Sequence, residues 1–326
     1  MEYTTLGRTG LKVSVAGLGC GGFSRLGLGT GGSEADAIAL VREAFSLGVN
    51  LFDTAAVYGT EAVLGQALSV VPREQVVITT KAWVPPRPAR TAAERLVASL
   101  DHSLKALGTD YVDVFQLHGV APDAYDHARE VLAPVLRDQQ QRGKIRFLGV
   151  TETGSTDPEH EMLERAVEDG VWDVVMVAFH MMHTNARTRV FPRTIANRIG
   201  TLIMFAVRNI FSKPDRLKAE LRRLAARGEV PRWLAYAPNP LGFLVHSDFG
   251  GAESIPEAAY RFVRHEPGVD VVLFGTGNRD HLRANIAAIL KPPLPDTDRR
   301  MLEKYFGRLV GIGLDPPVYM PGFTAH

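Results

Sequence analysis

A single cysteine, Cys20, is the whole thiol inventory of the chain, so neither an intrachain disulfide nor a cysteine-based zinc cluster can form. No metal site is expected. Neither sign of charge prevails: 37 Lys and Arg stand against 36 Asp and Glu, a net of +1. Without a basic excess, nucleic acid is a poor candidate partner. No run approaches the roughly eighteen apolar residues that a membrane span requires, so no membrane association is expected. The opening MEYTTLGRTG is polar and lacks the apolar stretch of a secretory signal. Together these absences lead to the expectation of a cytoplasmic soluble protein.

What is present is apolar material enough for a substantial core, 45% of 326 residues. No Pro/Ser-rich linker or shift in composition divides the chain, so residues 1–326 are expected to form one domain. An opening hairpin is predicted from two alternating stretches, Tyr3–Leu6 and Leu11–Val15, separated by Gly7-Arg8-Thr9-Gly10. Short runs rich in Val, Ile and Phe then recur near 14–19, 49–53, 75–80, 111–117, 145–150, 172–179, 201–207 and 270–274. Amphipathic stretches lie between them. In Ala92–Leu107, Leu96, Leu100, Leu104 and Leu107 repeat at helical spacing. A second helix is predicted over Asp157–Asp169, with Asp157 as N-cap and Pro158 in the first position. Eight strands alternating with helices predict a (β/α)8 TIM barrel, with a doubly wound open sheet as the alternative. Extra C-terminal helices are predicted from the helical, basic segment after Ile210. That segment and the Gly/Pro-rich tail after Gly311 are both expected to fold across the barrel mouth.

The motif Gly17-Leu18-Gly19-Cys20-Gly21-Gly22 satisfies G-x-G-x-x-G, which tempts toward a dinucleotide fold of the open-sheet kind. That fold needs a helix to start inside the motif. Here Gly27, Gly29, Gly31 and Gly32 follow, too much glycine for a helix, which is predicted to begin at Ser33 or Glu34.

Three successive strands end in ionisable groups. NLFDTAAVYG delivers Asp53 and Tyr58, ITTKAW delivers Lys81, and VFQLH delivers His118. In a parallel barrel the C-terminal strand ends form the active rim. A buried aspartate or lysine is rare unless paired, so Asp53 and Lys81 are expected to pair. Free tyrosine titrates near ~10, and a neighbouring ammonium is expected to lower that value and ready Tyr58 as a general acid. His118 would hold a substrate carbonyl or share its proton. A hydride must come from a cofactor, since no side chain supplies one.

With TTLGRTGLKVS, VAGLGCGG, NLFDTAAVYG, TKAW and FQLH in this order, the chain resembles the aldo-keto reductase superfamily. The resemblance implies a (β/α)8 barrel, NAD(P)H bound without a Rossmann domain, and the tetrad Asp53, Tyr58, Lys81 and His118. It implies a small-molecule carbonyl or alcohol as substrate, Trp83 at the substrate pocket, and nucleotide contacts from Gly21 and Gly22. Phe274-Gly275-Thr276-Gly277-Asn278-Arg279 and the segment through Asn285 resemble the family's adenosine-phosphate site, and Arg279 there favours NADPH, with NADH the alternative. Around the nicotinamide the chain departs from the family pattern. Thr151-Glu152 replace Ser-Asn, Met176 and His180 replace Gln and Asn, Phe179 stands for the stacking tyrosine, and Phe205-Ala206-Val207-Arg208 replace Tyr-Ser-Pro-Leu. Two other readings compete: a lyase using Lys81 as Schiff-base nucleophile, and a non-catalytic nucleotide-binding barrel. Specificity is expected from loops near Phe23, 119–123, 208–215 and the tail through Val318 and Tyr319. Oligomeric state is open.

Overall fold

The computed structural model describes residues 1–84 and 91–315. Val318 and Tyr319 lie outside the described residues.

All eight predicted barrel strands form. They are β3 (Ala16–Gly19), β4 (Leu51–Asp53), β5 (Val77–Trp83), β6 (Val112–Val120), β7 (Ile145–Glu152), β8 (Val174–Ala178), β9 (Gly200–Met204) and β10 (Val271–Phe274). Each pairs in parallel with its neighbour, and β10 returns to β3 with Val272 opposite Ala16. The sheet is therefore closed and the open-sheet alternative is excluded. Alternation sets the faces: Val114, Val174 and Met176 point into the barrel, while Phe115 and Val175 point out to the helices.

The predicted hairpin pairs β1 (Tyr3–Thr5) with β2 (Lys12–Ser14) and stoppers the floor of the barrel. Leu6, Leu11 and Val13 from this hairpin join Leu51, Val77 and Leu202 in one apolar cluster. Each such side chain contributes about 1.5–3 kcal/mol when fully buried. Gly7 sits at φ +48 with its backbone so close to β9 that a Cβ would lie 2.2 Å from the Gly200 nitrogen. Arg8 clamps the seat, its Nε donating to Asp173 at 3.0 Å.

The glycine-rich run after β3 makes no α-helix inside the motif. A 3-10 segment crosses Arg25–Thr30, and the helix Glu34–Ser46 starts where predicted. Ser33 caps it: Ser33 Oγ accepts from the Asp36 amide while the Asp36 carboxylate accepts from the Ser33 amide. Ala92–Leu107 is a helix over its full predicted length, with its four leucines buried.

The second predicted helix is shorter than expected, Glu161–Ala166. Pro158 is not in its first turn, and His160 stands before it at φ +57. The reason is tertiary: His160 is buried between Glu152 and Asn185, which holds the chain in a left-handed turn. Asp157 still caps, accepting from the Glu161 and Met162 amides at 2.9 and 3.0 Å. The basic segment forms helices Pro214–Ala226 and Arg232–Tyr236. Its start is tied to the tail through Asp315, which accepts from Arg208, Asn209 and Arg216. Among the described residues no helix is long and apolar enough to cross a membrane.

Candidate active site

Asp53 ends β4 opposite Thr79 of β5, and Lys81 lies two residues further along β5, on the same inward face. The Lys81 ammonium is fully buried and donates to both Asp53 oxygens and to the Thr54 carbonyl, each at 2.7 Å. The expected pair is thus present, with every ammonium hydrogen engaged. That arrangement opposes the Schiff-base reading, because attack on a carbonyl requires a free nitrogen lone pair. Thr79 Oγ1 at 2.5 Å and Gln116 Nε2 at 3.4 Å also donate to Asp53 Oδ1.

After Asp53 the chain makes a 3-10 turn over Ala56–Tyr58, ended by Gly59 at φ +68. This turn hangs the Tyr58 ring over the pair, 5.3 Å from Lys81 Nζ to the ring centre. His118 reaches the same point from β6, with Nε2 3.3 Å from Tyr58 Oη and the two rings at 89°. The structure therefore brings all four residues of the tetrad together. Gly21 is required here for space, since a Cβ would stand 2.4 Å from the Tyr58 ring.

The electrostatics differ from the sequence expectation at Tyr58. Burial, then the Asp53 charge, then Cys20, push its phenol well above the ordinary tyrosine value rather than below it. Lys81 has committed its charge to Asp53 and leaves little for the phenol. Burial, followed by the Lys81 charge, brings His118 down to about 3. At neutral pH the site therefore holds a protonated tyrosine and a neutral histidine. His118 Nδ1 and Gln116 Oε1 are buried with no hydrogen-bond partner among the described residues.

Next along the rim, Thr151 Oγ1 accepts from the Gly119 amide at 2.8 Å. Glu152 is buried, accepts from the Ala178 amide at 2.7 Å, and meets His160 Nδ1 at 2.7 Å. Phe179 corrects an expectation. It is completely buried, 5.1 Å from Phe191 and stacked at 5.8 Å on Phe262, so its ring is packed into the core rather than presented to a nicotinamide. The aromatic ring at this part of the rim is instead Phe205, just past β9. It is held at φ +73, an uncommon conformation for an aromatic residue, with the Arg208 guanidinium 4.2 Å from its ring centre. Arg208 is mostly buried, donates to the Asp315 carbonyl at 3.0 Å, and has no partner at Nε among the described residues.

The profile of the aldo/keto reductase family matches residues 17–305. The aldo-keto reductase YhdN of Bacillus subtilis is 30% identical over 302 residues, covering 87% of each chain. The L-galactose dehydrogenase of Arabidopsis thaliana is 41% identical over 157 residues, 46% of this chain and 48% of that protein. This chain thus spans about half the length of that relative. A thermostable aldo-keto reductase solved with the inhibitor epalrestat has the same fold, with a TM-score of 0.67 and 22% identity over 94% of this chain and 100% of that one. The chain belongs to the aldo/keto reductase family.

In this aldo/keto reductase the segment after β10 is bound up with the glycine-rich loop after β3. A Cβ on Gly277 would fall 2.3 Å from Gly27 Cα, and one on Gly275 would lie 3.3 Å from the Gly19 carbonyl. Thr276 Oγ1 takes the Asn278 amide, and the Asn278 side chain caps the helix Arg279–Leu290 through the Asp280 and His281 amides. Arg279 is exposed and paired with Glu43, which also binds Arg283 at 2.6 Å. Asn285 is half-buried in the same helix, and Gly22, at φ +69, has open space around it. The supporting residues Thr79 and Gln116 are absent from the sequence reading. Inward alternation with Lys81 and His118 is the signal that would have found them. Phe205 stands in the sequence reading only as the replacement of a tyrosine after the seventh barrel strand, and nothing local marks Glu43.

Proposed function

We propose that this family member reduces an aldehyde or ketone to an alcohol, or runs the reverse reaction, with NAD(P)H as hydride source and Tyr58 as general acid. The observation that carries the reading is the 3.3 Å approach of Tyr58 Oη to His118 Nε2 beside the buried Lys81–Asp53 pair. The orphaned His118 Nδ1 and Gln116 Oε1, and Arg208 Nε further round, fit a mouth built to meet a polar ligand. The backbone at Gly21 and Gly22, the Phe205 ring, Arg208, the 275–277 loop, Arg279 and Asn285 would hold the nucleotide. Thr151 and Phe179 are already engaged elsewhere.

When bound, the nucleotide supplies a hydride to the carbonyl carbon. The tetrad does the rest. His118, neutral, directs the carbonyl oxygen toward Tyr58 Oη. Tyr58 gives that oxygen its proton, leaving an alcohol and a phenolate beside the Lys81–Asp53 pair, and solvent then restores the proton to Tyr58. NADPH is the nucleotide favoured, because Arg279 and Arg283 place two guanidinium groups against the one Glu43 carboxylate at the helix start. An aldose is the first substrate class to try, on the name of the galactose-oxidising relative.

The test is nucleotide binding by fluorescence, with NADPH and NADH in turn, then turnover of an activated aldehyde by wild type and Tyr58→Phe. Both proteins should bind, and the variant should lose roughly 10²–10⁴ in rate. If neither protein binds either nucleotide, the redox reading is abandoned.

A further inference from the structure

The strand that carries His118 leaves its ladder at the histidine. Between β6 and β7 the register runs Leu117 opposite Val150, then Val120 opposite Glu152. His118 and Gly119 together therefore face the single residue Thr151, which is the arrangement of a β-bulge. Gly119 absorbs the extra residue at φ +66. The bulge leaves the Gly119 amide without a ladder acceptor, and Thr151 Oγ1 supplies one at 2.8 Å in a buried setting. On its other side His118 is tied through its own carbonyl, which accepts from the Val84 amide at 3.2 Å. The histidine backbone thus has one tie on the β5 side, and its neighbour has one on the β7 side.

We infer that Thr151 is a positioning residue: its hydroxyl fixes the bulge that aims His118 at Tyr58, rather than gripping the nucleotide. The inference rests on the reductase reading for its kinetic consequence but not for its geometry. An isosteric Val at 151 would leave the Gly119 amide buried and unpaired, which the bulge can relieve only by shifting. A displacement of His118 of the order of 1 Å is enough to cost about 10²-fold in rate.

The experiment uses the full chain as wild type, Thr151→Val, Thr151→Ser and Thr151→Ala. Thr151→Ala is included because it removes the hydroxyl with less change of shape than a branched apolar side chain, and so leaves the Gly119 amide without its acceptor in a second way. Nucleotide Kd, kcat and KM are measured with an activated aldehyde, and the His118 ring and Gly119 amide resonances are recorded without nucleotide. In Thr151→Val, kcat should fall about 10-fold to 100-fold. Nucleotide Kd should hold within about twofold and the His118 resonance should move, while Thr151→Ser restores all three. Should Thr151→Val misfold, Thr151→Ala is read by the same criteria. A large loss of nucleotide affinity with unchanged kcat overturns the proposal and returns Thr151 to the nucleotide. So does a His118 resonance that is the same in every variant. Wild type inert toward every carbonyl would instead sink the reductase reading, and the resonance arm would still decide the role of Thr151.

Discussion

Between β4 and β6 the rim is held by full charges at short range, Lys81 on Asp53 with Thr79 and Gln116 behind them. Between β7 and β9 it is held by histidines packed among aromatic rings. Burial keeps His180 at about 3, with the Arg208 charge adding to the effect and the Ile312 backbone opposing it. Burial, then the charges of His180 and His160, keep His183 at about 2. His160 is the exception, raised overall because the Glu152 interactions outweigh its burial. The two sides solve one problem, polar groups in a dry mouth, in opposite ways. A buried ion pair cannot lose one member cheaply, because the other is stranded. A neutral network can exchange members as long as each donor keeps an acceptor.

The contrast is sharpest in a matched pair of variants. Asp53→Asn strands the Lys81 ammonium and should cost about 3–5 kcal/mol in urea unfolding. His180→Gln, on the neutral side, keeps an acceptor for the Met182 amide and strands no charge, so its cost should be about 1 kcal/mol. Equal losses would break the comparison.

The same contrast can be read through pH. His118, His180 and His183 all have folded values below that of an exposed histidine, so the unfolded chain binds more protons than the folded one. Stability is therefore fully present above about pH 6.5 and falls as pH drops toward about 3. The slope is at most ~1.4 kcal/mol per pH unit for each histidine. His183→Gln, which retains an acceptor for the Gly311 amide, should flatten the slope measured by urea unfolding at pH 7, 6 and 5. An unchanged slope would show that His183 titrates normally.

These differences track what a linear reading can reach. The strands were legible because alternation is local, and the tetrad because each member ends a strand or follows one by a short turn. The direction of the Tyr58 shift was not, since the charge of Lys81 is cancelled by a partner 28 residues away and burial then dominates. The start of the helix after β7 was misplaced because Asp157-Pro158 is a fair local signal that buried His160 overrides. Phe179 reads as a rim aromatic until Phe191 and Phe262, brought from elsewhere in the chain, pack against it and bury it. The bulge at His118 is a property of two strands together and has no signature in either.

The hairpin that stoppers the barrel also bears on the order in which the molecule is made. Arg8 leaves the ribosome long before Asp173, its partner 165 residues later. Gly7 waits longer still for Gly200, and Ala16 for Val272. During synthesis the hairpin must therefore remain unseated, with Leu6, Leu11 and Val13 uncovered, until most of the barrel has emerged.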